Sequence, residues 1–215
     1  MSQMDSSLIT DKEYIRGVIR KSVVSHDQIS EGQPSVSFMR PLENVPVEFW
    51  KNFQANGGKI LRCQSGQDRL KYLKMLADDQ QYNVVLNTHN NLRGMLEQVG
   101  LNFVNSISVN MQVDAVVVLC TTLVARTASM GFTQPVARFV SMRNLAKDVI
   151  VISRMSDIVA DMEDALERNK KFGGEAGLEF VTPSPLPKEN GKEVRTPQHP
   201  RYILLLLDEN RPKNA

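Results

Sequence analysis

The chain has 215 residues, 41% of them apolar and 23% charged, the balance of a packed globular protein rather than a disordered or fibrous one. Its 26 basic and 24 acidic side chains leave a net charge of +2 and are spread along the whole length, so no basic stripe is available to follow a nucleic-acid backbone. The longest apolar run, residues 203–207, is far too short to cross a bilayer, and residues 1–11 carry no signal-peptide core; both predict a cytoplasmic protein without a membrane segment.

In chain order, Thr10 and Glu13 have capping-box spacing, and Tyr14, Ile15, Val18 and Ile19 recur with helical period behind them. Gly32 and Pro34 break the polar stretch that follows, so residues 1–35 read as a helix and a connector. Pro46 opens a short helix that docks through Phe49, Trp50 and Phe53, and Gly57 closes it. From there the period switches repeatedly between strand and helix, the pattern of crossover units on a parallel sheet. Lys59–Cys63 reads as the first strand. Ser65 caps a helix whose Leu70, Leu73, Leu76 and Ala77 share a face. Residues 83–87 give a second strand, and Leu92, Met95, Leu96 and Val99 a helix stopped by Gly100.

Residues 116–119 and 149–152 are apolar throughout and rich in β-branched side chains, as central strands covered on both faces must be. Residues 121–145, with Gly131 and Pro135, read as a short helix mixed with irregular strand. Met155, Ile158, Val159, Met162 and Leu166 predict a long amphipathic helix, with Asp157, Asp161, Asp164 and Glu167 on its solvated face. Leu178–Val181 reads as a short strand. Five of the ten prolines fall within residues 183–200, which predicts a long surface loop, and residues 202–207 close the chain as a fully buried strand. The expected architecture is α/β, a mostly parallel sheet flanked by helices, in one domain over residues 36–210 with a short tail at 211–215.

Several stretches resemble the LUD domain of lactate utilization protein C and its relatives. Residues 14–23 look like that family's first helix, and 53–60, with the Gly57-Gly58 pair, like its aromatic, double-glycine passage into a strand. Leu123-Val124-Ala125-Arg126-Thr127-Ala128-Ser129-Met130 resembles the segment where relatives carry Thr-Gly-Thr or Thr-Gly-Ser. Phe180-Val181-Thr182-Pro183-Ser184 resembles the strand into a Gly-Pro-Ser motif, and His199-Pro200 the remains of a His-Gly-Pro passage. Here Ala128 and Thr182 occupy the glycine positions of these motifs, and Asp148 stands where relatives have a histidine. The resemblance implies a fold like that of phosphosugar isomerases and CoA transferases. It also implies a role in oxidising lactate to pyruvate beside partner subunits that carry iron–sulfur clusters or a flavin.

Candidate site residues follow from both readings. Thr127 and Ser129 offer hydroxyls and backbone amides to an anionic small molecule, and Arg126 could clamp a carboxylate with two parallel hydrogen bonds. Asp148, Ser184 and His199 complete the candidates: Ser184 and His199 bracket the proline-rich loop, while Asp148 precedes a buried strand. Ser184 and His199 are not read as a nucleophile and base, because no third orienting residue is legible and a loop histidine beside Pro200 is more often simply exposed. His26 and His89 are isolated, and no close His, Cys or carboxylate spacing predicts a metal. Cys63 and Cys120 read as reduced, buried thiols, and two ligands cannot hold an iron–sulfur cluster, so no cofactor is expected in this chain. Three functions remain: an accessory subunit in lactate utilization or a related redox pathway, a small-molecule enzyme on an anionic metabolite, and a non-catalytic scaffold.

Overall fold

The computed structural model describes residues 41–108, 111–141, 145–171 and 177–209. The expected first helix and connector, and the tail, lie outside the described residues. Helix α1 (Val45–Ala55) starts where Asn44 Oδ1 accepts the Val47 amide at 3.2 Å, with Pro46 in its first turn. It buries Phe49 and Phe53, whose ring centroids are 5.2 Å apart. Gly57 then takes a φ of +81°, and the chain enters β1 (Lys59–Cys63). Ser65 caps α2 (Gly66–Gln80) by accepting the Asp68 amide, while Asp68 accepts the Gln64 amide in return. Strand β2 (Val85–Asn87) leads through a 3-10 turn into α3 (Arg93–Val99), which Gly100 ends in the left-handed conformation.

Strands β3 (Phe103–Val104), β4 (Ala115–Leu119), β7 (Asp148–Arg154) and β12 (Arg201–Leu207) join β1 and β2 in a six-stranded sheet of order β1-β12-β7-β4-β2-β3. Every pairing in it is parallel. The segments expected as central strands, β4 and β7, lie side by side, and β12 is the next strand outward. Because side chains alternate along a strand, this sheet has two apolar faces. Val117, Ile150, Ile152 and Leu205 pack under α2 and α3 with Leu73, Leu92 and Leu96. Val116, Val118, Val149, Val151, Leu204 and Leu206 pack on the other face against α1 and a second layer.

Within 121–145, expected as a short helix mixed with irregular strand, the strands are regular and belong to that second layer. Strands β5 (Thr122–Val124) and β6 (Ser129–Thr133) form an antiparallel hairpin, extended by β8 (Ile158–Val159) and β9 (Leu178–Val181) to a four-stranded sheet of order β8-β5-β6-β9. Helix α4 (Gln134–Ser141) follows β6. The long helix expected from Met155 is not there. Residues Met155–Asp157 form a 3-10 turn and β8 pairs in parallel with β5, so α5 spans only Met162–Lys171. Backbone pairing with Leu123 and Val124 outweighs the helical spacing, and the consecutive β-branched pair Ile158-Val159 suits an extended chain. Met162 and Leu166 are 39% and 45% exposed, so no buried stripe exists.

The proline-rich segment is not wholly loop either. Lys188–Glu189 (β10) and Lys192–Glu193 (β11) form a small hairpin across Asn190-Gly191, both at positive φ, the turn chemistry that two-residue hairpins favour. From Leu42 onward the chain forms one compact unit. Among the described residues no helix is long and apolar enough to cross a membrane.

Candidate functional site

The carboxyl ends of β4 and β7 open onto a cleft of about 490 Å³ between the central sheet, the β5–β6 hairpin and α5. Its walls include Cys120 and Thr121 just past β4, Arg154 at the end of β7, Asp157 in the following turn, and Arg168 and Leu178 opposite. Two arginines and one carboxylate thus line the cleft, and that carboxylate is already engaged. Asp157 Oδ2 accepts the Ser153 hydroxyl at 3.1 Å and the Arg154 amide at 2.9 Å, while Oδ1 accepts Arg168 Nη2 at 2.6 Å. Arg168 also donates to the Ser156 carbonyl, which fixes its planar group at the rim. The Arg154 guanidinium pairs with Glu209 at 3.4 Å and is 61% exposed.

The Cys120 thiol lies 2.9 Å from the Thr122 carbonyl oxygen. Burial pushes its pKa up to about 12, so it is neutral at physiological pH and no nucleophile. Burial likewise raises Cys63 to about 11. The cleft therefore offers positive charge, threonine hydroxyls and an apolar wall, and its acid and thiol are occupied with holding the backbone. Those features have the chemistry to hold an anion with a small apolar body.

The residues singled out from the sequence lie elsewhere, in two groups. Ser129 is buried where β6 begins. Its Oγ donates to Thr127 Oγ1 at 2.8 Å and is 2.7 Å from Thr182 Oγ1, so three hydroxyls meet at the turn between β5 and β6. Arg126 and Thr127 belong to that turn, which Asn52 of α1 holds by donating to the Ala125 carbonyl at 2.9 Å. Ala128 sits there at φ +53°, the conformation that the glycine of the resembled motif adopts freely. Ser184 is exposed, and its carbonyl and Pro185 lie against Gly57, directly ahead of β1.

Asp148 belongs to the second group, at the amino ends of the strands. It is the first residue of β7, level with Ala115 and Arg201 on the neighbouring strands, and is 1% exposed. Its oxygens accept Tyr82 Oη at 2.6 Å, Arg201 Nε at 2.9 Å and Nη2 at 3.0 Å, and Arg195 Nη1 at 3.1 Å. Burial, then the Asp148 charge, raises the Tyr82 pKa, so the phenol keeps its proton and remains the donor. Arg195 leads into a turn in which Thr196 and His199 form a bridge, and His199 is exposed there. Asp148 is thus a saturated structural carboxylate. Thr127, Ser129 and Thr182 are joined through one set of hydrogen bonds and Asp148 with Arg195 through another.

Sequence reasoning missed Thr121, Arg154, Asp157 and Arg168. The signal was present: Arg154 ends β7 and Thr121 lies two residues past β4, and ligands of parallel sheets collect beyond the carboxyl ends of strands. Asp157 was read as part of a solvated helical face, whereas it is largely buried in an ion pair with Arg168. Among the described residues no group of three His, Cys, Asp or Glu side chains is placed to hold a metal ion.

The fold and the cleft define a three-layer α/β protein with a parallel central sheet and a polar crevice at its carboxyl edge. No protein-family model matches the chain, and no curated protein matches it in sequence. In fold it is similar to the solved structure of a DUF162 family protein from Deinococcus radiodurans, with a TM-score of 0.57 and 13% identity over 78% of this chain and 99% of that one.

Proposed function

We propose that this chain is a LUD-type protein that serves lactate utilization, or a related redox pathway, as a cytoplasmic accessory subunit that binds an anionic metabolite. Three things support the reading. The sequence resembles the LUD domain at several motifs, the fold neighbour is a DUF162 family protein, and DUF162 is LUD-like. The observation that carries the binding role is the cleft in which Arg154 and Arg168 face an apolar wall at the carboxyl ends of parallel strands. Its chemistry favours holding a ligand over transforming it, because Asp157 is saturated and Cys120 is neutral and buried. That speaks against the phosphosugar-isomerase or CoA-transferase-like enzyme and for a subunit whose redox groups come from iron–sulfur or flavin partners.

A thermal-shift panel of lactate, pyruvate, sugar phosphates and CoA esters tests the binding role. A ligand at a hundredfold over its dissociation constant should raise the midpoint by roughly 5–10 °C for a protein of this size. Arg154→Met should abolish the rise. A flat response across the panel defeats the reading. The pathway assignment is tested separately by affinity capture from the native cell, where recovery of iron–sulfur or flavin oxidoreductases is expected and a lone band argues against it.

A further inference from the structure

Arg69 stands out among the buried polar groups. It lies in the first turn of α2, behind the carboxyl end of β1, and its Nε and Nη2 are both fully buried with no hydrogen-bond partner among the described residues. These two nitrogens form the edge of a guanidinium that normally grips a carboxylate with two parallel bonds. Leaving such donors buried and unpaired is costly, so an arrangement that satisfies them is favoured. The titratable side chains in electrostatic reach of Arg69 are Cys63, Arg154, Glu209 and Asp157. Cys63 is neutral, and Asp157 is committed to Arg168 and the turn after β7.

Glu209 is the available carboxylate. The backbone brings it close, because β12 pairs with β1 and the Asp208 amide donates to the Cys63 carbonyl at 2.8 Å, one residue before Glu209. Its present hold on Arg154 is long, 3.4 Å, and its other oxygen accepts the Ser156 hydroxyl at 3.1 Å. Arg154 is the cleft arginine most free to move.

We propose that Arg69 is a positioning residue that exchanges partners with the cleft: when an anion draws Arg154 inward, Glu209 is released and Arg69 takes it up. The purpose of the exchange rests on the anion-binding reading above, but the exchange itself is a property of the protein alone. Binding then replaces one loose surface pair by a ligand contact and a buried bidentate pair. The pair formed with Arg69 offsets part of what the ligand loses in drawing Arg154 away from Glu209.

The experiment needs no ligand. Arg154→Met frees Glu209 permanently, so the coupling between Arg69 and Glu209 is measured in two backgrounds, with Arg69→Met, Glu209→Gln and the pair of them in each. In the otherwise native chain the two midpoint shifts should add, because the groups do not touch. With Arg154→Met they should fail to add by roughly 2–4 °C, the shift expected of a pair worth about 1 kcal/mol in a protein of this size. A merely structural role for Arg69 predicts the same coupling in both backgrounds. Additivity in both, or equal coupling in both, overturns the proposal. A flat ligand panel, by contrast, would sink the anion reading and leave this result standing.

Discussion

Two glycines with similar backbone angles make different demands at the scale of the residue. Gly57 and Gly100 have φ of +81° and +78°, so an L side chain is strained at either. At Gly100 an added Cβ meets open space, whereas at Gly57 it would lie 2.8 Å from the Pro185 Cα and 3.1 Å from the Ser184 carbonyl oxygen. Backbone cannot step aside as a flexible side chain can. Gly57→Ala should therefore cost about 2–4 kcal/mol, combining the conformational penalty with overpacking. Gly100→Ala should cost only about 1–2 kcal/mol. Urea unfolding of the two variants checks this, and equal losses would show that the Gly57 contact carries no weight. Ala128 is the converse case: an alanine held at φ +53° because its methyl is buried in the core beside the hydroxyl cluster.

At the scale of the element, the turn between β7 and α5 shows how polar groups overrule an apolar spacing. Asp157 closes the 3-10 turn by accepting the Arg154 amide, Ile158 and Val159 then join β5, and the helix restarts at Asp161. Asp161 Oδ1 accepts the Asp164 amide at 3.1 Å, which makes it the cap of α5. Asp161→Ala should lower stability by about 1 kcal/mol. If Asp161 instead only decorated a continuous helix from Met155, replacing it with alanine would be neutral or mildly stabilising by helix propensity. Denaturant midpoints together with far-ultraviolet circular dichroism separate these outcomes. The same substitution bears on the cleft, since Arg168 projects from this helix onto Asp157.

The two ends of the central sheet divide the labour of the whole molecule. The carboxyl ends of the strands open onto the cleft and its two ion-paired arginines, while at the amino ends Asp148 ties together Tyr82, Arg201 of β12 and Arg195 of the proline-rich segment beside a smaller cavity of about 290 Å³. Arg201 is only 11% exposed, so removing its partner strands a buried cation. Asp148→Ala is expected to destabilise by about 3–5 kcal/mol, the usual consequence of breaking a buried pair on one side. Arg195→Ala should cost much less, because Arg195 is more exposed and leaves Asp148 with Tyr82 and Arg201. Thermal unfolding of both variants tests the ranking. A mild Asp148→Ala would contradict a structural role and reopen the question of what that carboxylate serves.

The sequence by itself determined five of the six central strands and the helices that cover them, because β4, β7 and β12 are apolar on both faces and leave the chain no other way to bury them, whereas the two-residue β3 left no signal. Ser65 and Pro46 marked helix starts for equally local reasons: an orphaned amide needs an oxygen within three residues, and a proline brings no amide to orphan. Of the second sheet, β9 was legible as the strand Leu178–Val181 and β5 and β6 only as irregular strand, while β8 was read as helix. Strand β8 is two residues long and exists only because β5, more than thirty positions earlier, offers it a free edge. The site was decided in the same way. Arg154 and Arg168 face one another across fourteen positions because a strand end and a helix are packed together. Local chemistry is written along the chain, but which polar groups share a cleft depends on distances that only the packed layers fix.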